Sequence, residues 1–199
     1  MNALTPIAGA VLLAAFASSA HAAPHIQALA VDPLSIPTLR HYSRLQIDLS
    51  QFAAAKRALD VMQEAYPKAD TRFEGFSELL QGHAREALAH FQVTESAAKL
   101  QGIAMSEYSL GHQPAAEQAL AEFMKMHGNA FAFQYAETYA WWGDIDKAMA
   151  WLQTAFRIHD AGLAYITHDR FLDKVRPDPR FTALQRSLNL APDQTAAAM

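Results

Sequence analysis

The sequence predicts an all-α fold, a solenoid of about four helix–turn–helix pairs followed by C-terminal capping helices. Apolar residues recur at helical spacing from residue 38 to residue 190, and turn signals interrupt them every 12–16 residues. One local pattern also repeats, marked by an alanine, at spacings of 32, 29 and 32 residues. The alanines are Ala55, Ala87, Ala116 and Ala148. Such a period is typical of helical repeats, in which each unit needs its neighbours to bury its apolar face.

Each of these alanines has the same kind of neighbours. A large apolar residue follows four places later, a small turn residue precedes it by five places, and another small residue precedes it by twelve. The large residues are Leu59, Phe91, Leu120 and Leu152; the turn residues are Ser50, Gly82, Gly111 and Gly143; the other small residues are Ser43, Gly75, Ala104 and Ala136. Glycine suits the turn because a chain reversal needs a left-handed residue. The small residues predict where the two helices of a pair cross closely.

The elements follow from this register in order. The helix pairs are expected at 38–48 with 51–65, 71–81 with 84–95, 98–110 with 114–126, and 130–142 with 145–158. A short helical stretch is expected at 162–166, and a last helix after Asp178 and Pro179, which suit an N-cap and a first helical position. The chain is thus divided into a signal peptide (1–22), a linker (23–36), four pairs (37–160), a cap (161–190) and a disordered tail (191–199).

The first residues resemble a secretory signal peptide. The apolar run 7–17 is followed by Ala20-His21-Ala22, which fits the small-x-small cleavage pattern, so cleavage after Ala22 is expected. No lysine or arginine precedes the run, which departs from the usual signal. An uncleaved anchor or a misplaced start is the alternative. The expected location is the periplasm or the outside of the cell.

Composition excludes several classes of function. The chain has no cysteine, which excludes disulfides, zinc fingers and thiol nucleophiles. Its net charge of −4 gives no support for binding to nucleic acid or to an anionic membrane. No nucleophile elbow, phosphate-binding glycine loop or His-Glu-x-x-His helix is present, and no pair of carboxylates suggests acid–base chemistry. We therefore predict a protein that is not an enzyme, needs no cofactor and contacts no membrane beyond its signal segment.

Nine histidines raise the question of a metal site. His83 and His112 directly follow turn glycines, so they are expected at the surface. The adjacent pairs at 159–160 and 168–169, each a histidine followed by an aspartate, are the best metal candidates. Structural or surface roles are the favoured interpretation of all of them, and no metal site is predicted.

The fourth repeat resembles a known family pattern. It reads Ala132-x-x-Tyr135-Ala136-x-x-Tyr139-x-x-x-Gly143-Asp144-x-x-Lys147-Ala148-x-x-x-Leu152-x-x-Ala155 and is similar to a tetratricopeptide repeat at most signature positions. The other three repeats match at the small, glycine, alanine and apolar positions. The part from Tyr139 to Phe181 resembles the C-terminal end of bacterial tetratricopeptide arrays. The resemblance implies a protein- or peptide-binding module in which the first helix of each pair lines a concave groove.

The same resemblance supplies candidate peptide-binding residues. The groove positions fall on Arg40, Arg44 and Ile47, on Arg72, Phe76 and Leu80, on Gln101, Met105 and Tyr108, and on Phe133, Glu137 and Trp141. The arginines at one end are expected to hold a carboxylate or other anion, and the aromatic strip at the other end to hold apolar side chains. Two alternatives stay open. In the first, the apolar residues belong to the core or are buried by the N-terminal segment. In the second, the arginines are merely solvated and hold no ligand.

The ligand is therefore expected to be a protein or peptide whose identity the sequence does not give. The alternative is a periplasmic helical domain that senses a small molecule or a metal ion.

Overall fold

The computed structural model describes residues 23–67 and 70–190, and these residues form ten α-helices without a strand. The predicted signal peptide and the predicted tail 191–199 lie outside the described residues. The helices are α1 (Ala23–Val31), α2 (Ile36–Asp48), α3 (Phe52–Ala65), α4 (Arg72–Leu80), α5 (Ala84–Val93), α6 (Ala98–Ser109), α7 (Gln113–His127), α8 (Ala132–Trp142), α9 (Ile145–Ile158) and α10 (Pro179–Ser187). No helix in the described part of the chain is both long enough and apolar enough to cross a membrane.

Helices α2 to α9 pack as four adjacent pairs, as the sequence predicts: α2 with α3, α4 with α5, α6 with α7, and α8 with α9. The first helices also contact one another in the order α2, α4, α6, α8. They therefore form one continuous wall of the molecule, to which four separate parts of the sequence contribute.

The alanine register is confirmed by burial and by backbone conformation. All four marker alanines are completely buried, and each large residue four places later is at most 2% exposed. The turn residue of every pair has a positive φ, +57° at Ser50 and between +81° and +86° at the three glycines. Ser50 thus adopts the conformation that glycine adopts in the other pairs, which costs a residue with a side chain some free energy.

A single aromatic ring explains two glycines in helix interiors. Phe91 of α5 is fully buried between α4 and α6. A Cβ atom added at Gly75 would lie 2.7 Å from Phe91 Cζ, and one added at Gly102 would lie 2.1 Å from Phe91 Cδ1. Because neither distance is sterically possible, the absence of a side chain at these positions lets the ring fill the space between two pairs.

Residues 23–31 form α1, whereas the sequence predicts a linker over 23–36. Pro24 is the second residue of this helix, where a missing backbone N–H is tolerated. Leu29 is 3% exposed and belongs to the same core cluster as Leu39 and Tyr42 of α2. Packing of one leucine onto α2 therefore orders a segment whose prolines suggested an irregular chain.

After α9 the chain leaves the repeat pattern. Two short 3-10 helices, Ala161–Tyr165 and Arg170–Leu172, precede α10. The N-cap prediction is confirmed, because the Asp178 side chain accepts a hydrogen bond from the backbone N–H of Arg180 at 2.8 Å, and Pro179 begins the helix. Residues 165–173, which we call the C-terminal segment, fold back onto the wall of first helices.

Candidate functional site

The four first helices line a cleft of about 410 Å³. Six of the nine predicted peptide-binding residues contribute to it: Arg40, Arg44, Arg72, Phe76, Gln101 and Glu137. Several other lining residues were not predicted from the sequence, among them His41, Phe73, Ala97, Phe131, Gln134 and Tyr165. The cleft therefore brings together side chains from α2, α4, α6 and α8.

Three predicted residues do not line this cleft. Phe133 is 1% exposed and packs against Gly162, where an added Cβ would lie 2.5 Å from its ring. Tyr108 turns away and stacks on Trp142 at 5.2 Å between ring centroids, and its hydroxyl donates to the Trp142 carbonyl at 2.8 Å. Trp141 is half-buried beneath the C-terminal segment. Of the further groove positions, Ile47 and Met105 lie in the core and Leu80 is partly buried.

The aromatic end of the expected groove is already covered by the protein itself. Phe171 of the C-terminal segment is 3% exposed, and its ring centroid lies 5.3 Å from that of Phe76 and 5.7 Å from that of Trp141. The Nζ atom of Lys174 lies over the Trp141 ring at 5.6 Å. Burial of these apolar residues by the N-terminal segment was one alternative from the sequence. The C-terminal segment covers them instead.

The same segment brings a carboxylate to Arg44. The Arg44 guanidinium donates from Nη2 to Asp169 Oδ2 at 2.7 Å and from Nε to both Asp48 carboxylate oxygens at 3.1 Å. Its Nη2 atom also lies 3.6 Å from Glu137 Oε1, while Gln101 donates to Glu137 Oε2 at 2.6 Å. We call Arg44, Asp48, Glu137 and Asp169 the Arg44 cluster. It joins α2, α8 and the C-terminal segment.

The Arg44 cluster holds three carboxyl groups around one guanidinium, all of them buried. Burial raises the pKa of Asp48 to about 7, in spite of the opposing effect of Arg44. Burial, together with the charge of Asp169 and a hydrogen bond to it, raises the pKa of Glu137 well above its usual range. Burial opposes the charge of Arg44, but the surrounding carboxylates outweigh this and raise its pKa, so it stays protonated. The cluster therefore keeps protons at a pH at which exposed carboxyl groups have lost theirs.

The three predicted arginines have different surroundings. Arg44 is bound within its cluster, and Arg72 lies with its Nε atom 3.0 Å from Asp70 Oδ2 and its guanidinium over the Phe73 ring. Arg40 is half-buried and, unlike the other two, forms no ion pair with a described residue; its Nε atom, like that of Arg72, is buried without a hydrogen bond. Arg40 is therefore the arginine of this cleft that can accept an external anion.

Arg40 also borders a second cavity, of about 760 Å³. This cavity lies between the loops that follow α3 and α5 and is lined largely by polar residues, including Asp70, Thr71, Thr94 and Ser96. Arg40 therefore lines both cavities.

Residues 23–67 and 70–190 contain no group of three histidine, aspartate or glutamate residues that could hold a metal ion. The aspartates of the two candidate metal pairs bind backbone groups instead: Asp160 accepts the N–H of Phe133 at 3.0 Å, and Asp169 accepts that of Phe171 at 2.8 Å. Both therefore stabilise the cap. The other two histidines singled out by the sequence lie exposed in turns, each beside a glutamate: His83 and His112.

Sequence reasoning missed the partners of Arg44. Asp48 follows Arg44 by four residues, a spacing that allows an ion pair on one helix face and could have been noticed. Asp169 lies 125 residues away, and the sequence pattern carries no signal for that contact. The sequence predicts that Arg44 binds a carboxylate of a ligand. In the structure Arg44 binds a carboxylate of the protein itself.

Comparison with known proteins identifies no relative of this chain. No family model matches the chain, and no curated protein or solved structure matches it significantly.

Proposed function

We propose that this protein is a non-catalytic helical-repeat module of the tetratricopeptide type that binds an extended segment of a protein or peptide in the cleft. The repeat type is supported by four packed helix pairs with left-handed turn residues and buried crossing alanines. In such arrays, stacking of repeats creates an extended concave surface suited to a chain-like ligand.

The observation that carries the proposal is the state of Arg40. Its side chain is partly withdrawn from water, has no ion-pair partner among the described residues, and lines both cavities. A half-buried charge without a partner is unfavourable, and a ligand carboxylate would supply charge-assisted hydrogen bonds to it. Because Arg40 lines two cavities, we propose an extended ligand whose carboxylate lies along its length.

The rest of the cleft suits the other parts of a peptide. Phe73 and Phe131, which are only partly buried, offer apolar contact to a side chain. Gln134 offers an amide group that can exchange hydrogen bonds with a peptide backbone. The ligand we propose therefore carries an acidic residue close to an apolar one.

A random peptide library displayed on phage, followed by fluorescence polarisation with the selected peptides, tests the proposal. Arg40→Gln should weaken binding about tenfold or more, because a hydrogen bond to a charged group contributes about 1.5–3 kcal/mol. Arg85→Gln, an exposed arginine on α5, is the matched control and should bind as the wild type does. Equal affinity of Arg40→Gln and wild type would contradict the proposal.

A selection that enriches no peptide would also contradict it. That result would favour the alternative, a small carboxylate ligand, because the cleft volume lies within the range of small-molecule sites.

We also propose that the protein is exported, on the basis of its first 22 residues. Fractionation of expressing cells, with N-terminal sequencing of the purified protein, tests this. The expected product begins at Ala23 and is found outside the cytoplasm. An uncut chain that stays in the cytoplasm would contradict export.

A further inference from the structure

We propose that the Arg44 cluster is a pH-operated latch, which holds the C-terminal segment against α2 and α8 when Asp48 and Glu137 are protonated and releases it when both ionise. The latch acts in the protein without a ligand. It therefore goes beyond the proposed peptide binding and does not depend on it.

The first support for the latch is the geometry of the cluster. Asp169, on the C-terminal segment, is completely buried, and it faces Arg44 together with Asp48 of α2 and Glu137 of α8. Three carboxyl groups share a single guanidinium. Full ionisation leaves two negative charges uncompensated in a place that water scarcely reaches, and such charges are costly to keep buried.

Neighbouring cations do not bind the carboxylates of the cluster directly, although the charge of Arg170 acts to lower the pKa of Asp48 against the larger effect of burial. Arg170 hydrogen-bonds to Ser50 with one nitrogen, and its Nε atom is bound to Asp173 at 2.7 Å. Arg176 donates to the backbone carbonyl of Asp169 at 2.7 Å, not to its carboxylate. Other titratable groups near the cluster include Tyr165, whose ring lies 5.1 Å from the Arg44 guanidinium, and the cleft residues Arg40, His41 and Arg72. On the segment itself, His168 precedes Asp169 and is exposed, with its Nδ1 atom 2.9 Å from the Thr167 hydroxyl.

The expected pH range supports a latch that responds near neutrality. Burial raises the pKa of Asp48 to about 7 and that of Glu137 well above its usual range. Protonation therefore favours the closed arrangement, and the attachment weakens as the pH rises through about 7.

The packing of the C-terminal segment limits the movement. Ile166 and Leu172 are completely buried in the core around α8, α9 and α10, so both ends of the movable part stay anchored. Between them, Asp169 and Phe171 bind to the wall of first helices. Release exposes residues 167–171 and uncovers the Trp141 ring that Phe171 contacts.

Hydrogen exchange read by mass spectrometry, from pH 5.5 to pH 8.5 and corrected for the intrinsic pH dependence of amide exchange, tests the latch. In the wild type, protection of the peptide covering 167–173 should fall about tenfold or more as the pH rises over this range, since each pKa unit corresponds to a tenfold change. The variant Asp48→Asn/Glu137→Gln should keep its protection at pH 8.5. The control variant Glu122→Gln removes an exposed carboxyl group of α7 and should behave as the wild type does.

Constant protection in the wild type over this range would overturn the proposal, as would equal loss of protection in the double variant. If the double variant is unfolded, α6 and α7 will also have lost protection, and Asp48→Asn alone is then measured. This variant should shift the midpoint of the transition to a different pH, and an unchanged midpoint would overturn the latch. No ligand enters the experiment, so its outcome is separate from that of the peptide selection.

Discussion

Arg44 and Asp169 are 125 residues apart in the sequence, and Arg44 Nη2 meets Asp169 Oδ2 at 2.7 Å. This ion pair joins the first helix pair to the segment that follows the fourth. Helical-repeat proteins ordinarily form contacts only between neighbouring repeats, and their stability is then a sum of local terms. Here one buried cluster connects the two ends, so we expect the described pairs to unfold as one cooperative unit.

Arg44→Gln should lower the free energy of unfolding by about 3–5 kcal/mol at pH 7, because it leaves buried carboxyl groups without their cation. Urea denaturation followed by circular dichroism measures the change. The loss should be smaller at pH 4.5, where Asp48 and Glu137 are protonated. Arg85→Gln removes an exposed arginine and serves as control. A loss below about 1 kcal/mol at pH 7 would show that the cluster does not stabilise the fold.

Asp48 should make stability fall with rising pH. Its pKa is 3.8 in the unfolded chain and about 7 in the fold. Between these values the folded protein holds a proton that the unfolded chain has lost, so the contribution of Asp48 is complete below about pH 4 and lost as the pH rises through 7. The difference in unfolding free energy between wild type and Asp48→Asn should therefore decrease by about 2–4 kcal/mol over this interval.

The quantity to measure is the difference in unfolding free energy between wild type and Asp48→Asn, not the pH dependence of the wild type alone. Burial lowers the pKa of His90, which makes stability rise with pH below about 6.5 and partly masks the effect of Asp48. His90 is present in both proteins, so its contribution cancels. A difference that is independent of pH would contradict the raised pKa of Asp48.

Ala148→Leu should destabilise the protein by about 1–3 kcal/mol through overpacking, because Ala148 is completely buried where α8 and α9 cross. Ala150→Leu, two residues later and exposed on the same helix, is the matched control and should change stability little. Thermal denaturation of both variants measures this. An unchanged midpoint for Ala148→Leu would contradict the register of the pairs.

Gly102→Ala should also destabilise, by about 1–3 kcal/mol, although alanine is the better helix former. The new Cβ would meet the Phe91 ring at 2.1 Å. In a Phe91→Ala background the same substitution should cost nothing or stabilise, and a double-mutant cycle in urea measures this coupling. If Gly102→Ala alone stabilises the protein, Phe91 does not occupy the position described.

The helix pairs could be predicted because their signal is local. Helical spacing of apolar residues, turn glycines and small crossing residues all lie within one repeat of about 30 residues. Helix α1 could not be predicted in this way, since its order depends on Leu29 reaching the core of the first pair. The two 3-10 helices of the cap likewise lack a period, whereas Asp178 and Pro179 provide a local signal for the start of α10.

The candidate site could be predicted only in part, because some of its contacts have no local signal in the sequence. The register placed six of nine selected residues along the cleft, because it identifies the face of each first helix. It could not show that Phe171 covers Trp141 or that Asp169 binds Arg44, since these contacts depend on how the C-terminal segment folds back. As a result Arg40, one of three arginines that the sequence pattern places in the groove, is the one left for a ligand.

Photo-crosslinking with a selected peptide tests binding in the cleft most directly. A benzoylphenylalanine is placed at Ala97, which is exposed at the edge of the cleft, and in a second protein at Ala150, which is exposed on α9 and does not line the cleft. A crosslink from position 97, located by mass spectrometry, with none from position 150, is the expected result. A crosslink from position 150 alone, or from neither, would contradict peptide binding in this cleft.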